Sequence, residues 1–155
     1  MNRPPLDIPN DVRAALNAAR VGRMAVLDEH GVPSIVTVCF VLEGQTLLIA
    51  QDNFPEGIAQ LREQQMAALA GNPNITVLVD HWEENWNKLG MVMLRGIGEV
   101  LPGASLEQRR VLSLLRDKYA QYRGVNMKDE PMIRLDILSM RYWGELAGLH
   151  PQPKA

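Results

Sequence analysis

Between Asp80 and Trp86 the chain reads DHWEENW, and these side chains could do chemistry. An Asp, a His and two Glu offer metal ligation or acid–base exchange. Their spacing argues against both. Neighbours in an extended chain point to opposite faces, so Asp80 and His81 do not readily share one ion. Glu83 and Glu84 are adjacent carboxylates of the kind that solvent claims. No metal site and no catalytic residue are expected. Trp82, Trp86 and the later Trp143 are the sharper feature. Aromatics on a polar rim either stack on a flat ligand or pack in a subunit interface, and the residues leave both open.

The rim continues the run NPNITVLV at 72–79. Its β-branched residues lack a helical period, which predicts a strand buried on both faces. Three strand signals precede it, at Arg23–Leu27, Ser34–Leu42 and Thr46–Ala50. The turn clusters between them are short, so these strands are antiparallel. Leu89–Val100 reads as a long strand with glycines at 90, 96 and 98, which suggest bulges or close backbone approach. Ile133–Leu138 is a last strand, and Met140–Leu146 is read as a further one.

Three helices are predicted. Asn10 is a plausible N-cap with Asp11 in the first turn, ahead of Val12, Ala15, Leu16 and Ala19. Glu56–Ala70 puts Ile58, Leu61, Met66 and Leu69 on one face, and Gln60, Arg62, Glu63 and Gln64 on the other. Ser105 with Gln108 forms a capping box before Leu106, Val111, Leu112, Leu115 and Tyr119. Six or seven strands with about three helices define a small antiparallel β-barrel with peripheral helices. One domain spans 1–155, with 1–9 as an extended arm and 147–155 as a flexible tail.

Composition narrows the function. A formal net charge of −2 gives no basic field for nucleic acid or a membrane surface. Cys39 is the one cysteine, so no disulfide forms within the chain, and a reducing, cytoplasmic setting fits. It is read as a small buried hydrophobe, and His30 as a solvated turn residue. No run reaches the roughly 18 apolar residues of a membrane span. Neither a glycine-rich phosphate loop nor a nucleophile elbow is present.

Four segments carry a resemblance: VGRMAVL at 21–27, VPSIVTVCFVLEGQTL at 32–47, NPNITVLVDHWEENWNKL at 72–89 and KYAQYR at 118–123. In order and spacing the chain resembles the pyridoxamine 5'-phosphate oxidase-like FMN-binding split-barrel superfamily. It is most similar to the branch of probable oxidoreductases that use the deazaflavin coenzyme F-420. The resemblance implies a six-stranded split barrel, a homodimer, and FMN or coenzyme F-420 held between subunits. Hydride would pass between that ring and a small organic substrate. By position, Val38 and Phe40 would wall the ring pocket, with plain core as the competing reading. Ala50, Gln51, Asp52 and Asn53 would approach the ring edge and phosphate, and Trp82 and Trp86 would close the site.

One departure stands out. Family members are rich in Lys and Arg after the third strand, where they hold the cofactor phosphate. Here Arg62 is the only basic residue between positions 50 and 73, and Glu56 and Glu63 are added. Lys88, Arg95 and Arg134 are the other cations considered for that role. The alternative is a repurposed split barrel that binds another flat ligand, such as haem.

Overall fold

A computed structural model of the chain describes residues 5–149. Its strands follow the two-residue alternation of the sequence. Gly22–Leu27 (β1) buries Gly22, Met24 and Val26 and turns Arg23 and Leu27 outward. Pro33–Val38 (β2) hides Val36 and Val38, and Phe40–Glu43 (β3) hides Phe40 and Leu42. Thr46–Ile49 (β4) is buried from Leu47 onward. Asn74–His81 (β5) buries Ile75, Val77 and Val79 but leaves Thr76 and Leu78 half-buried. The expectation of burial on both faces is therefore corrected: one face is core and the other is partly open. Gly90–Leu101 (β6) and Met132–Gly144 (β7) form the long central pair.

All pairings are antiparallel, in the order β2-β1-β5-β6-β7-β4-β3. The sheet has seven strands, not six. The run read as one strand, Ser34–Leu42, divides at Cys39 because its halves serve opposite margins: β2 pairs with β1, and β3 with β4. Cys39 alone separates Val38 from Phe40, so the margins must meet there. The sheet curls, with a seam at Cys39. Conversely, the two strand signals near the C-terminus are one continuous strand, β7.

The β6 ladder shifts register between Arg95 and Gly96. A Cβ on Gly96 would lie 1.9 Å from the Asp136 carbonyl oxygen, and one on Gly98 2.2 Å from Ile75 Cδ1. These glycines allow close backbone approach where the sheet bends.

The main core fills the curl with Met24, Phe40, Val77, Val92, Leu94 and Leu135. Asn10–Ala18 (α1) closes it with Val12, Ala15 and Leu16. The α1 N-cap is Pro9, not Asn10, with no side-chain cap bond. Residues 5–9 of the expected arm are docked: Ile8 is buried, and the Leu6 N–H donates to Gln45 Oε1 at 3.0 Å. The 3-10 turn Leu146–Leu149 takes in the first residues of the expected tail, 147–149, and Leu146 just before that tail joins the core. Positions 1–4 of the arm and 150–155 of the tail lie outside the described residues.

A second cluster lies under Leu106–Lys118 (α3), with Leu48, Val111, Leu115, Tyr119, Tyr122 and Met127. Ser105 Oγ accepts the Gln108 N–H at 3.1 Å, as a capping box requires. The Gln108 side chain instead turns inward, donating to the carbonyls of Met127 (2.8 Å) and Glu130 (2.9 Å). Leu106, expected on the apolar face, is 83% exposed.

Ala59–Gly71 (α2) lies beside the β2 margin. Arg62 Nη2 donates to the Thr37 carbonyl at 3.2 Å, and Gln65 Nε2 to the Ser34 carbonyl at 3.2 Å. At this edge the Thr37 carbonyl faces away from β1, and Arg62 caps it. That demand turns Arg62 inward, correcting its expected place on the polar face. Among the described residues, no helix is long and apolar enough to cross a membrane.

Candidate functional site

The seam leaves a cleft of about 120 Å³ where β2, the end of β4, α2 and the corner after α3 meet. Val21, Val38 and Phe54 form an apolar wall, with Asp52, Arg62 and Tyr122 as the polar side. Thr37, Cys39 and Gln121 complete the lining.

Asp52 organises the polar side. Its Oδ1 accepts the Phe54 N–H at 3.0 Å and Arg62 Nη2 at 3.2 Å, while Oδ2 accepts the Tyr122 hydroxyl. The paired side chains are 5% and 4% exposed. Arg62 Nη2 also reaches the carbonyls of Thr37 and Phe54, each at 3.2 Å. Arg62 Nε and Nη1 are buried with no acceptor among the described residues. Burial pushes the Tyr122 phenol well up, and its bond to Asp52 adds to that shift. Tyr122 is therefore a neutral donor. Burial also raises Cys39, which stays a thiol and a weak nucleophile at neutral pH.

Behind the cleft, Lys118 Nζ donates to the carbonyls of Leu16 (3.2 Å) and Phe40 (3.0 Å) and sits 4.1 Å from the Phe40 ring centroid. Burial, with Arg20 nearby, lowers its pKa to about 8. The Tyr119 hydroxyl accepts the Phe40 N–H at 3.2 Å and donates to the Arg20 carbonyl at 3.1 Å. Burial pushes this phenol up to about 12. The Arg20 guanidinium stacks 4.5 Å from the Tyr119 ring. These groups tie α1, β3 and α3 together beside the seam.

Of the residues named from the sequence, Val38, Asp52 and Arg62 converge on the cleft. Phe40 is fully buried in the core beneath Lys118. Ala50 and Gln51 are buried beside the seam, where the Ala50 N–H bonds the Cys39 carbonyl at 3.0 Å. Asn53 Oδ1 accepts the N–H groups of Gly57 (3.0 Å) and Ala59 (3.1 Å), so its oxygen is spent on starting α2. Trp82 and Trp86 follow β5, 63% and 76% exposed, and do not line the cleft within this chain.

The other cations are engaged or distant from the cleft lining. Arg134 bonds Glu99 and Glu107, each at 2.5 Å. Lys88 lies 3.9 Å from Glu83, and Arg95 is exposed on the outer sheet face. In the rim, Asp80 pairs with Arg23, and His81 Nε2 lies 2.7 Å from Glu83 Oε2.

Sequence reasoning assigned no site role to Cys39, Tyr122, Gln121, Thr37, Val21 or Phe54. The available signal was KYAQYR, with two tyrosines three residues apart just past an amphipathic helix. A wider depression of about 920 Å³ lies between the β1–β2 turn and α2. Asp28, Glu29 and small residues such as Ala67 and Gly71 line it, with no aromatic or cationic side chain.

No protein-family model matches the chain, and no curated protein matches it. Solved structures do. The conserved hypothetical protein Rv2991 of Mycobacterium tuberculosis superposes with a TM-score of 0.70 at 15% identity, covering 100% of this chain and 96% of that one. The haem storage protein HutZ of Vibrio cholerae gives 0.61 at 11% identity, over 90% of this chain and 95% of that one. A FAD-binding protein of Mesorhizobium loti gives 0.60 at 20% identity, over 83% and 88%. These likenesses show the fold, that of the split barrels.

Proposed function

We propose that the chain binds a flat conjugated ligand at the seam, as one half of a homodimer. The observation that carries this is the cleft itself: an apolar wall of Val21, Val38 and Phe54 facing the buried Asp52–Arg62–Tyr122 cluster. An apolar slot with a few convergent polar groups suits one edge of a planar ring. Ligands named for the structural neighbours support the class: FAD for one and haem for another.

A flavin-type ring is the first candidate, and a flavin-dependent oxidoreductase the fuller form of the reading. The chemistry of such an enzyme belongs to its cofactor. The phosphate of FMN or coenzyme F-420 fits these residues poorly, because Arg62 is already paired with Asp52. Haem is second. Haem iron takes an axial side chain such as His, Cys, Met or Tyr. Among the described residues neither His30 nor His81 lines the cleft, and Cys39 there is a protonated thiol.

The outer sheet face supports the homodimer. Ladder register sets Met91 opposite both Asp80 and Trp143, and Met93 opposite Leu78 and Arg141. Ile35, Trp82, Trp86, Met91 and Trp143 are exposed. A second copy would cover this surface, and its Trp82 and Trp86 would close the partner's cleft. An absorbance spectrum of the purified protein, then titration with flavin and with haemin, tests the reading. Binding of either supports it. Colourless protein that binds neither would falsify it.

A further inference from the structure

The charges at the seam already balance. Among the described residues, Asp52 and Arg62 are the only acidic and basic side chains lining the cleft, and they pair at 3.2 Å. From position 50 to 73, Arg62 is the only cation, against Asp52, Glu56 and Glu63. Nearby cations are committed elsewhere: Lys118 to the carbonyls of Leu16 and Phe40, and Arg20 to that of Lys118.

A phosphate dianion needs charge-assisted donors. Here it would meet the Asp52 carboxylate and compete for a guanidinium whose Nη2 already serves three acceptors. Like charges at a site partly removed from water repel strongly. A neutral ring carries no such cost. A ring carbonyl needs one donor, and Arg62 keeps Nε and Nη1 without an acceptor among the described residues. Leaving such donors buried and unpaired is costly, so a ligand acceptor there is favoured. The cleft, about 120 Å³, also admits one ring edge rather than a whole tricycle with its tail, since sites enclosing drug-sized ligands run to roughly 300–1,000 Å³.

We infer that the seam takes a planar ligand without phosphate: a neutral heterocycle with a carbonyl edge held at Arg62. This rests on the flat-ligand reading above and specifies its ligand class. Riboflavin and FMN share one ring and differ in the terminal phosphate, so they are the matched probes. Fluorescence titration of the full chain at low ionic strength should give riboflavin an affinity at least about tenfold above that of FMN. A smaller gap, or a preference for FMN, overturns the inference and leaves the flat-ligand reading intact. Failure of both probes to bind overturns the flavin form of that reading and the inference with it. Asp52→Asn removes the repelling charge and should narrow the gap at least about threefold. An unchanged gap in the folded variant counts against the inference; if the variant does not fold, the wild-type comparison still decides.

Discussion

The Tyr122 hydroxyl donates a hydrogen bond to Oδ2 of Asp52, joining the corner after α3 to the segment that follows β4 across 70 residues of sequence. The bond satisfies a carboxylate that is 5% exposed. Tyr122→Phe keeps the ring against Tyr119, whose centroid is 5.6 Å away, and deletes the donor. The expected cost is about 1.5–3 kcal/mol, the range for hydrogen bonds to charged groups. Urea denaturation checks it, and a loss below about 0.5 kcal/mol would show that Asp52 recruits another donor.

The Asp52–Arg62 pair makes a second prediction. Arg62→Met leaves the buried carboxylate without its cation, at an expected cost of about 3–5 kcal/mol. Adding Asp52→Leu removes the orphaned charge, so the double variant should recover much of that loss. Residues in direct contact couple, and a double-mutant cycle measures the coupling. Additive losses would argue against a pair energy at this seam.

Lys118 and Tyr119 set an alkaline stability window. The folded pKa of Lys118 lies near 8, below the ordinary 10.5 of a lysine. Burial therefore penalises the protonated amine, and stability should rise as pH moves from about 8 toward 10.5. Tyr119 works the other way, because its folded pKa near 12 exceeds the ordinary 10.0 of a tyrosine. Its contribution is complete below pH 10 and is lost as pH climbs through 12. Denaturation midpoints should rise above pH 8 in the wild type relative to Lys118→Met, in which the raised Cys39 thiol leaves no such gain.

Gly96 is the most confined position of the β6 bend. A methyl group would collide with the Asp136 carbonyl, which is backbone and has little room to move. Gly96→Ala should cost about 3 kcal/mol or more. Gly124, with open space around its Cβ direction, is the control. Gly124→Ala should stay within about 0.5 kcal/mol of wild type. Thermal melts of both variants check the contrast.

For the outer face, light scattering on a sizing column should report twice the chain mass. Met91→Glu places a charge between Asp80 and Trp143 in the ladder and should shift the population to monomer without altering the far-ultraviolet spectrum. A wild-type monomer would remove the partner chain from the ligand model.

Strand positions were readable because burial alternates with period two, as in β1 and β6. The split at Cys39 was not, because VTVCFV is strand-forming without interruption on both sides of the break. Nothing local marks the point where the chain changes sheet margins. Asp52 and Arg62 were named for a ligand, but their mutual pairing was hidden by a separation of ten positions. Helical periodicity sent Arg62 outward; the free carbonyl of Thr37 drew it in. Tyr122 drew no site role because its partner is 70 positions away. The tryptophans attracted attention through type and setting, yet within one chain they stand apart from the cleft.

One stretch of backbone furnishes both rims of the sheet, turning at position 39. At that junction the barrel is held by the continuity of the polypeptide more than by a ladder of cross-strand bonds. A proteolytic nick there would release two edges at once, whereas a cut in the Glu43–Thr46 hairpin would loosen one. The same economy frees the neighbouring side chains from ladder duty. They cap the seam's own backbone instead, Arg62 at the Thr37 carbonyl and Tyr119 at the Phe40 N–H.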